Sequence, residues 1–168
     1  VLEGNLSIQD SQFLENELAC LGCGTTNGGA IFANLSSSSK LISQRNIYSQ
    51  NNGWSGGAIF GSNLDVANDT YFGNTSGYGG ALRLIGNNTI VDSHFFDNFG
   101  ANEGGTIMSS GGGTSFTLLN SVISGSRAGT PSGGILDLSS SSVSLENVAI
   151  LNSNLDLGAA LEIRNALD

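Results

Sequence analysis

Cys20 and Cys23 stand as Cys-Leu-Gly-Cys within the stretch from Glu17 to Asn27, and they are the two cysteines of the chain. A zinc site wants two further Cys or His ligands, which the chain lacks. A small local disulfide is therefore the preferred expectation, with free thiols, a redox pair or half a metal site as the alternatives. Two cysteines are too few to hold a mini-fold together and do not fix the redox compartment. His94 is the single histidine. With no second imidazole and no serine triad around it, it reads as a surface residue and not as a base or ligand. No metal site and no cofactor are expected.

Carboxylates and cations are the other groups able to do chemistry. Eliminative cleavage of an acidic polysaccharide needs a base and cations that offset the uronate. Lys40, Arg45, Arg83, Arg127 and Arg164 are the five cations. Hydrolysis needs two carboxylates several ångströms apart, for which Asp65, Asp69, Asp92, Asp97, Asp137 and Glu162 are available. Asn-x-Ser/Thr sequons at Asn5, Asn34, Asn68, Asn74 and Asn87 are candidate N-glycosylation sites if the source has the machinery. A chain this rich in Asn, Ser and Thr yields several such sequons by composition alone.

Whether any of these residues meet depends on the elements that carry them, and those elements repeat. Gly28-Gly29-Ala30-Ile31-Phe32 recurs as Gly56-Gly57-Ala58-Ile59-Phe60, Gly79-Gly80-Ala81-Leu82, Gly104-Gly105-Thr106-Ile107, Gly133-Gly134-Ile135-Leu136 and Gly158-Ala159-Ala160-Leu161. The second position of each falls at 29, 57, 80, 105, 134 and 159, steps of 23 to 29 residues. Regular self-similarity at this period is the signature of a stacked architecture. A second motif keeps the same beat: Phe13 to Asn16, Tyr48 to Asn51, Tyr71 to Asn74 and Phe95 to Asn98, then Ile123 to Ser126 and Ile150 to Ser153. Short alternating segments precede each of these, and alternation of period two means strands.

One repeat thus reads as three short strands separated by turns, with no run long enough for an amphipathic helix. The expected fold is all-β: a right-handed parallel β-helix, or solenoid, of about six coils of three short strands. Register then assigns faces. Ile31, Ile59, Leu82, Ile107, Leu136 and Leu161 point inward, whereas Phe32, Phe60, Arg83, Met108, Asp137 and Glu162 point outward, because unpaired charges are not buried. The glycine before each alanine leaves inward room, expected to be filled by the aromatic of the Phe-x-x-Asn strand. Two corners are marked by polar residues: Asn16, Asn51, Asn74 and Asn98 at one, and Asp10, Arg45, Asn68, Asp92, Asn120 and Asn147 at the other. Asn and Asp tolerate left-handed backbone, and stacked amides form ladders.

Tandem Gly-Gly-Ala-(Ile/Leu) alternating with Phe-x-x-Asn resembles the passenger repeats of the chlamydial polymorphic outer membrane proteins and related surface β-helix proteins. The likeness is best at Gly28 to Ile31, Gly56 to Ile59, Gly79 to Leu82, Phe13 to Asn16 and Phe95 to Asn98, and fades where Ile123, Ser126, Ile150 and Ser153 replace the aromatic and Asn. Such proteins are displayed at the cell surface by a C-terminal barrel and act in adhesion, which is what the resemblance implies here.

The chain has 168 residues, one domain's worth, so residues 1–168 are expected to be a single β-helix domain and a fragment or repeat unit of a longer solenoid. Its net charge of −9 repels nucleic-acid backbones. No apolar run approaches the roughly 20 residues of a membrane-spanning helix, so this segment is not expected to insert in a bilayer. The cations do not share a column, and of the carboxylates only Asp137 and Glu162 do. The expectation is therefore a non-catalytic structural or adhesive element, extracellular or on a cell surface, able to stack end to end into a filament. A carbohydrate-binding or polysaccharide-cleaving β-helix is the alternative. Phe32 and Phe60, with Ala30, Ala58 and Ala81, form the candidate interaction face. Expected partners are other copies of the chain, neighbouring solenoid coils, glycans or host and cell-surface molecules.

Overall fold

Alternating side chains at a 26-residue beat, with left-handed corners between them, leave the chain one way to satisfy its backbone, which is to pair each strand with its equivalent one coil away. The computed structural model describes residues 4–18, 28–130, 133–155 and 159–164, and Cys20 and Cys23 lie outside them. Among the described residues there is no helix, and every strand pairing is parallel. The result is a parallel β-solenoid with three sheets along its length.

One sheet has six strands, Gln12–Leu14, Ile47–Ser49, Thr70–Phe72, His94–Phe96, Val122–Ser124 and Ala149–Leu151, each pairing with the next. A second has five, from Asn52–Ser55 through Thr75–Tyr78, Phe99–Glu103 and Arg127–Ala128 to Asn154–Leu155. The first coil reaches that sheet through the isolated bridge of Glu17 to Asn52. The solenoid accordingly makes about five turns, one fewer than the repeat count suggests: among the described residues the first coil pairs with this face at that bridge alone.

The third sheet has ten strands and departs from the expected plan in an informative way. In the early coils two short strands share this side of the rod, Ile59–Ser62 and Leu64–Ala67 for example, so a coil holds four strands and not three. Asn63 at φ 54° and Gly86 at φ 79° break the extended backbone between such pairs. Later the two merge into the single strands Ile107–Leu119 and Leu136–Glu146.

The inward column is as the repeats predict in the middle of the rod, where Ile59, Leu82, Ile107 and Leu136 are fully buried and in register, whereas at its ends Ile31 is half-buried and Leu161 is exposed. Phe13, Tyr48, Tyr71 and Phe95 stack down the axis with ring centroids 5.0, 4.9 and 4.7 Å apart and planes within 6° of parallel. Below them Ile123 continues the core, fully buried.

Three details differ from the sequence reading. The inward space at the repeat glycines is taken by backbone and not by the aromatic ring: a Cβ on Gly80 would lie 2.7 Å from both the N and C of Phe99 and collide with the Gly105 carbonyl. The left-handed corner at the Asn column belongs to the residue before it, Glu15, Gln50, Gly73 and Asp97, leaving the asparagines free to face inward. The other corner is as expected, with positive φ at Asp10, Arg45, Asn68, Asp92, Asn120 and Asn147. Asp137, assigned outward, is only 1% exposed, because Arg164 reaches back to pair with it.

Candidate functional site

Inside the rod the polar side chains are spent on one another. Asn16, Asn51, Asn74 and Asn98 form an amide ladder, each Nδ2 donating to the next Oδ1 at 2.8, 2.9 and 3.0 Å. The same Nδ2 atoms of Asn51, Asn74 and Asn98 donate to the carbonyls of Phe13, Tyr48 and Tyr71, which fixes the aromatic stack to the ladder. Asn74 is fully buried in this way, which removes it from the candidate glycosylation sites of the folded chain. Asn5, Asn34, Asn68 and Asn87 are exposed.

At the opposite rim of the stack lies a network that the sequence reading missed. Asp69 is fully buried, accepting from the backbone N–H of Asn46 at 2.8 Å, from the Ser43 hydroxyl at 2.5 Å and from the Tyr71 hydroxyl at 3.2 Å. The Ser43 hydroxyl also meets that of Tyr48 at 2.8 Å. Burial pushes the Asp69 carboxyl above its ordinary range against these bonds, and pushes up both tyrosine hydroxyls. The signal was available in the column Ser11, Asn46, Asp69, Ser93 and Ser121, one residue after the left-handed corner.

The outer face of the strands Ile31–Ala33, Ile59–Ser62 and Leu82–Ile85 is different. Phe32, 54% exposed, stacks on half-buried Phe60 with centroids 5.4 Å apart and planes at 29°. Arg83, next in the column, holds its guanidinium carbon 5.8 Å from the Phe60 centroid and 5.1 Å from that of Tyr78. Tyr78 meets Trp54, 54% exposed, edge to face at 6.2 Å. A cavity of about 140 Å3 opens beside the phenylalanines, lined by Phe32, Ala33, Asn34, Phe60, Gly61, Ser62 and Ile85. The expected alanine strip does not join this face. Ala58 and Ala81 are 0% exposed and Ala30 is half-buried, since the residue after each repeat glycine turns under the corner. Trp54, Tyr78 and Ile85 take their place, and the aromatic signal of Trp54 and Tyr78 was readable two residues and one residue ahead of their glycine pairs.

Two coils further, the same column turns acidic. Asp137 and Glu162 pair in register, and Arg164 bridges three carboxylates, Glu162 at 2.9 Å, Asp137 at 3.2 Å and Glu103 at 3.4 Å. Burial raises the Asp137 carboxyl to about 6, with Arg164 pulling it down and Glu103 and Glu162 pushing it up. The bonds to Glu162 hold the Arg164 guanidinium above its usual range. The other cations stand apart: Lys40 on Asp65 at 2.7 Å, Arg45 on Asp10 at 2.7 Å, and Arg127 over Phe99. Asp92 and Asp97 are exposed at corners, and His94 is exposed and stacked on Phe96 at 5.9 Å. Among the described residues no group of carboxylates, cysteines or histidines is arranged to hold a metal ion. No family model, no curated protein and no solved structure matches this chain.

Proposed function

We propose that the chain is a non-catalytic structural and adhesive β-solenoid of the extracellular space or cell surface, and that it makes contact through the face of Phe32, Phe60, Trp54 and Tyr78. The observation that carries this reading is the exposure of two large aromatic side chains, Phe32 and Trp54, on adjoining sheets and joined through Phe60, Arg83 and Tyr78, in a protein whose inner rings from Tyr48 to Phe95 are fully enclosed. Exposed aromatic clusters of this kind mark interaction surfaces. The resemblance to surface-displayed passenger repeats points the same way, as fold-level analogy. Self-association is the second contact expected: Leu6 in the first coil, and Leu161 and Ile163 in the last, continue inward columns yet are exposed, and fit cover by neighbouring coils.

The polysaccharide-cleaving alternative is favoured by one observation, the paired Asp137 and Glu162. Against it, Asp137 is buried beneath its ion pair, whereas a general acid must reach the glycosidic oxygen. The test of the proposal is adhesion to cells or glycan-coated surfaces by the intact chain and by Phe32→Ser with Phe60→Ser. Loss of binding in a double variant that keeps its melting temperature is the expected result, and unchanged binding overturns it.

A further inference from the structure

We propose that the Arg83 face binds a terminal acidic sugar bearing an N-acetyl group, the carboxylate on Arg83 and the acetamido group in the cavity beside Phe60. This rests on the adhesive reading and names its ligand class.

Charge gives the first half of the argument. The protein carries net −9, and Lys40, Arg45 and Arg164 are each paired with carboxylates. Arg83 has no carboxylate partner among the described residues. It lies over Phe60 and Tyr78, with one long hydrogen bond to the Ser55 hydroxyl at 3.5 Å, and its buried Nε makes none. An arginine fork held against aromatic planes, with donors to spare, is complementary to a carboxylate. The negative field of the whole chain sets the limit on that ligand: one charge is tolerated, a polyanion is repelled.

Size and spacing give the second half. The cavity of about 140 Å3 is lined by Phe32, Phe60 and Ile85, with Asn34 and Ser62 at its polar side. It is well below the roughly 300 Å3 at which pockets for drug-sized ligands begin, and suits a small group with a methyl and an amide. Arg83 and Ile85 are two residues apart on the same face of one strand, their Cα atoms about 7 Å apart, and the guanidinium carbon stands 5.8 Å from the centroid of Phe60, whose ring lines the cavity. A pyranose ring carrying its carboxylate and its acetamido group on distant carbons bridges that gap. An N-acetylated amino acid, whose two groups sit on one carbon, is too short.

The experiment is a titration of the intact chain, followed by two-dimensional NMR, with the methyl α-glycoside of N-acetylneuraminic acid. Its C1 amide, N-acetylglucosamine, glucuronic acid and N-acetylglycine are the comparison probes. Binding with a Kd on the order of 1 mM, with shifts confined to Phe32, Phe60, Tyr78, Arg83 and Ile85, is expected. Each comparison probe, and Arg83→Gln with the sialoside, should bind about tenfold more weakly. Equal binding of the C1 amide, or by Arg83→Gln, overturns the role of the carboxylate. Equal binding of N-acetylglycine makes the site a reader of peptide ends and overturns the sugar. If no probe shifts the spectrum while the intact chain still adheres through Phe32 and Phe60, this inference falls and the adhesive reading stands. If adhesion is also absent, both fall.

Discussion

The molecule holds two aromatic stacks, one inside the rod and one outside, built on the same coil-to-coil register. Inside, Phe13, Tyr48, Tyr71 and Phe95 lie 4.7 to 5.0 Å apart and within 6° of parallel. Outside, Phe32 and Phe60 are 5.4 Å apart and tilted by 29°. The shared spacing comes from the pairing distance of parallel strands, about 4.8 Å, which any in-register column inherits. The difference in tilt comes from what surrounds the rings. The inner rings are gripped between the aliphatic core and the asparagine ladder, whereas one side of the outer pair faces solvent. Register makes a stack; enclosure makes it flat, and lack of enclosure leaves it available to a partner.

The sharpest way to break this comparison is to attack the backbone contact between coils at the glycine corner, on which the coil itself depends. Gly80→Leu should prevent folding, since even its Cβ would collide with the backbone of Phe99 and Gly105. Overpacking against backbone, which cannot rotate away, lies at or beyond the upper end of the usual cost of about 1 to 3 kcal/mol. Arg83→Ala, three residues on but on the outer face, should stay within about 1 kcal/mol, the loss of a cation–π contact. Circular dichroism melts of both variants check this, and a Gly80→Leu protein that melts like the parent would contradict the close approach.

The two stacks themselves come next. Tyr71→Ala removes a fully buried ring and leaves Asp69 without one of its donors, so a loss of about 3 to 5 kcal/mol is expected. Phe60→Ala removes a half-buried ring of the same class and should cost about 1 kcal/mol. Chemical denaturation of the pair measures the contrast directly. Equal losses would mean that the outer stack is a structural element and not a free face.

Much of this was readable in the amino-acid order. The six left-handed corners from Asp10 to Asn147 and the inward column from Ile59 to Leu136 follow from one period applied six times. What the period could not show is chemistry that changes from coil to coil. Ser43, Asn46 and Asp69 form a network only because neighbouring coils present different polar groups at the same rim. Asp137 is buried by Arg164, a residue of the next coil whose reach no alternation rule describes. Trp54 and Tyr78 pack together although they stand at different distances from their glycine pairs, so they do not form a column in the sequence. The candidate face was therefore half legible: Phe32 and Phe60 belong to the repeat, and their neighbours do not.

The smallest expected effect concerns the charge beside each stack. Arg83 stands at the edge of solvent next to the outer pair, whereas Asp69 is sealed at the rim of the inner one, so only the inner charge should be coupled to folding. Because burial raises the Asp69 carboxyl, the folded state holds a proton at pH values where the unfolded chain, near 4, has released it. Its contribution is thus complete below that unfolded value and is lost as pH rises through the folded one. Asp137, raised to about 6, acts in the same direction between about pH 4 and 6. The exposed pair of Asp10 with Arg45 acts oppositely, but salt and water screen it. The melting temperature should therefore rise on acidification from pH 7 toward about 4.5, the reverse of ordinary acid denaturation. Asp69→Asn supplies a neutral amide of the same shape, which can donate to Ser43 as Asn46 already does. That variant should gain about 1 kcal/mol at pH 7, roughly 2 to 4 °C, and show a flatter pH profile. A variant that melts lower than the parent at pH 7, with an unchanged slope, would mean that the inner stack is held by the carboxylate charge itself, because the bonds from Ser43, Asn46 and Tyr71 would then outweigh its desolvation.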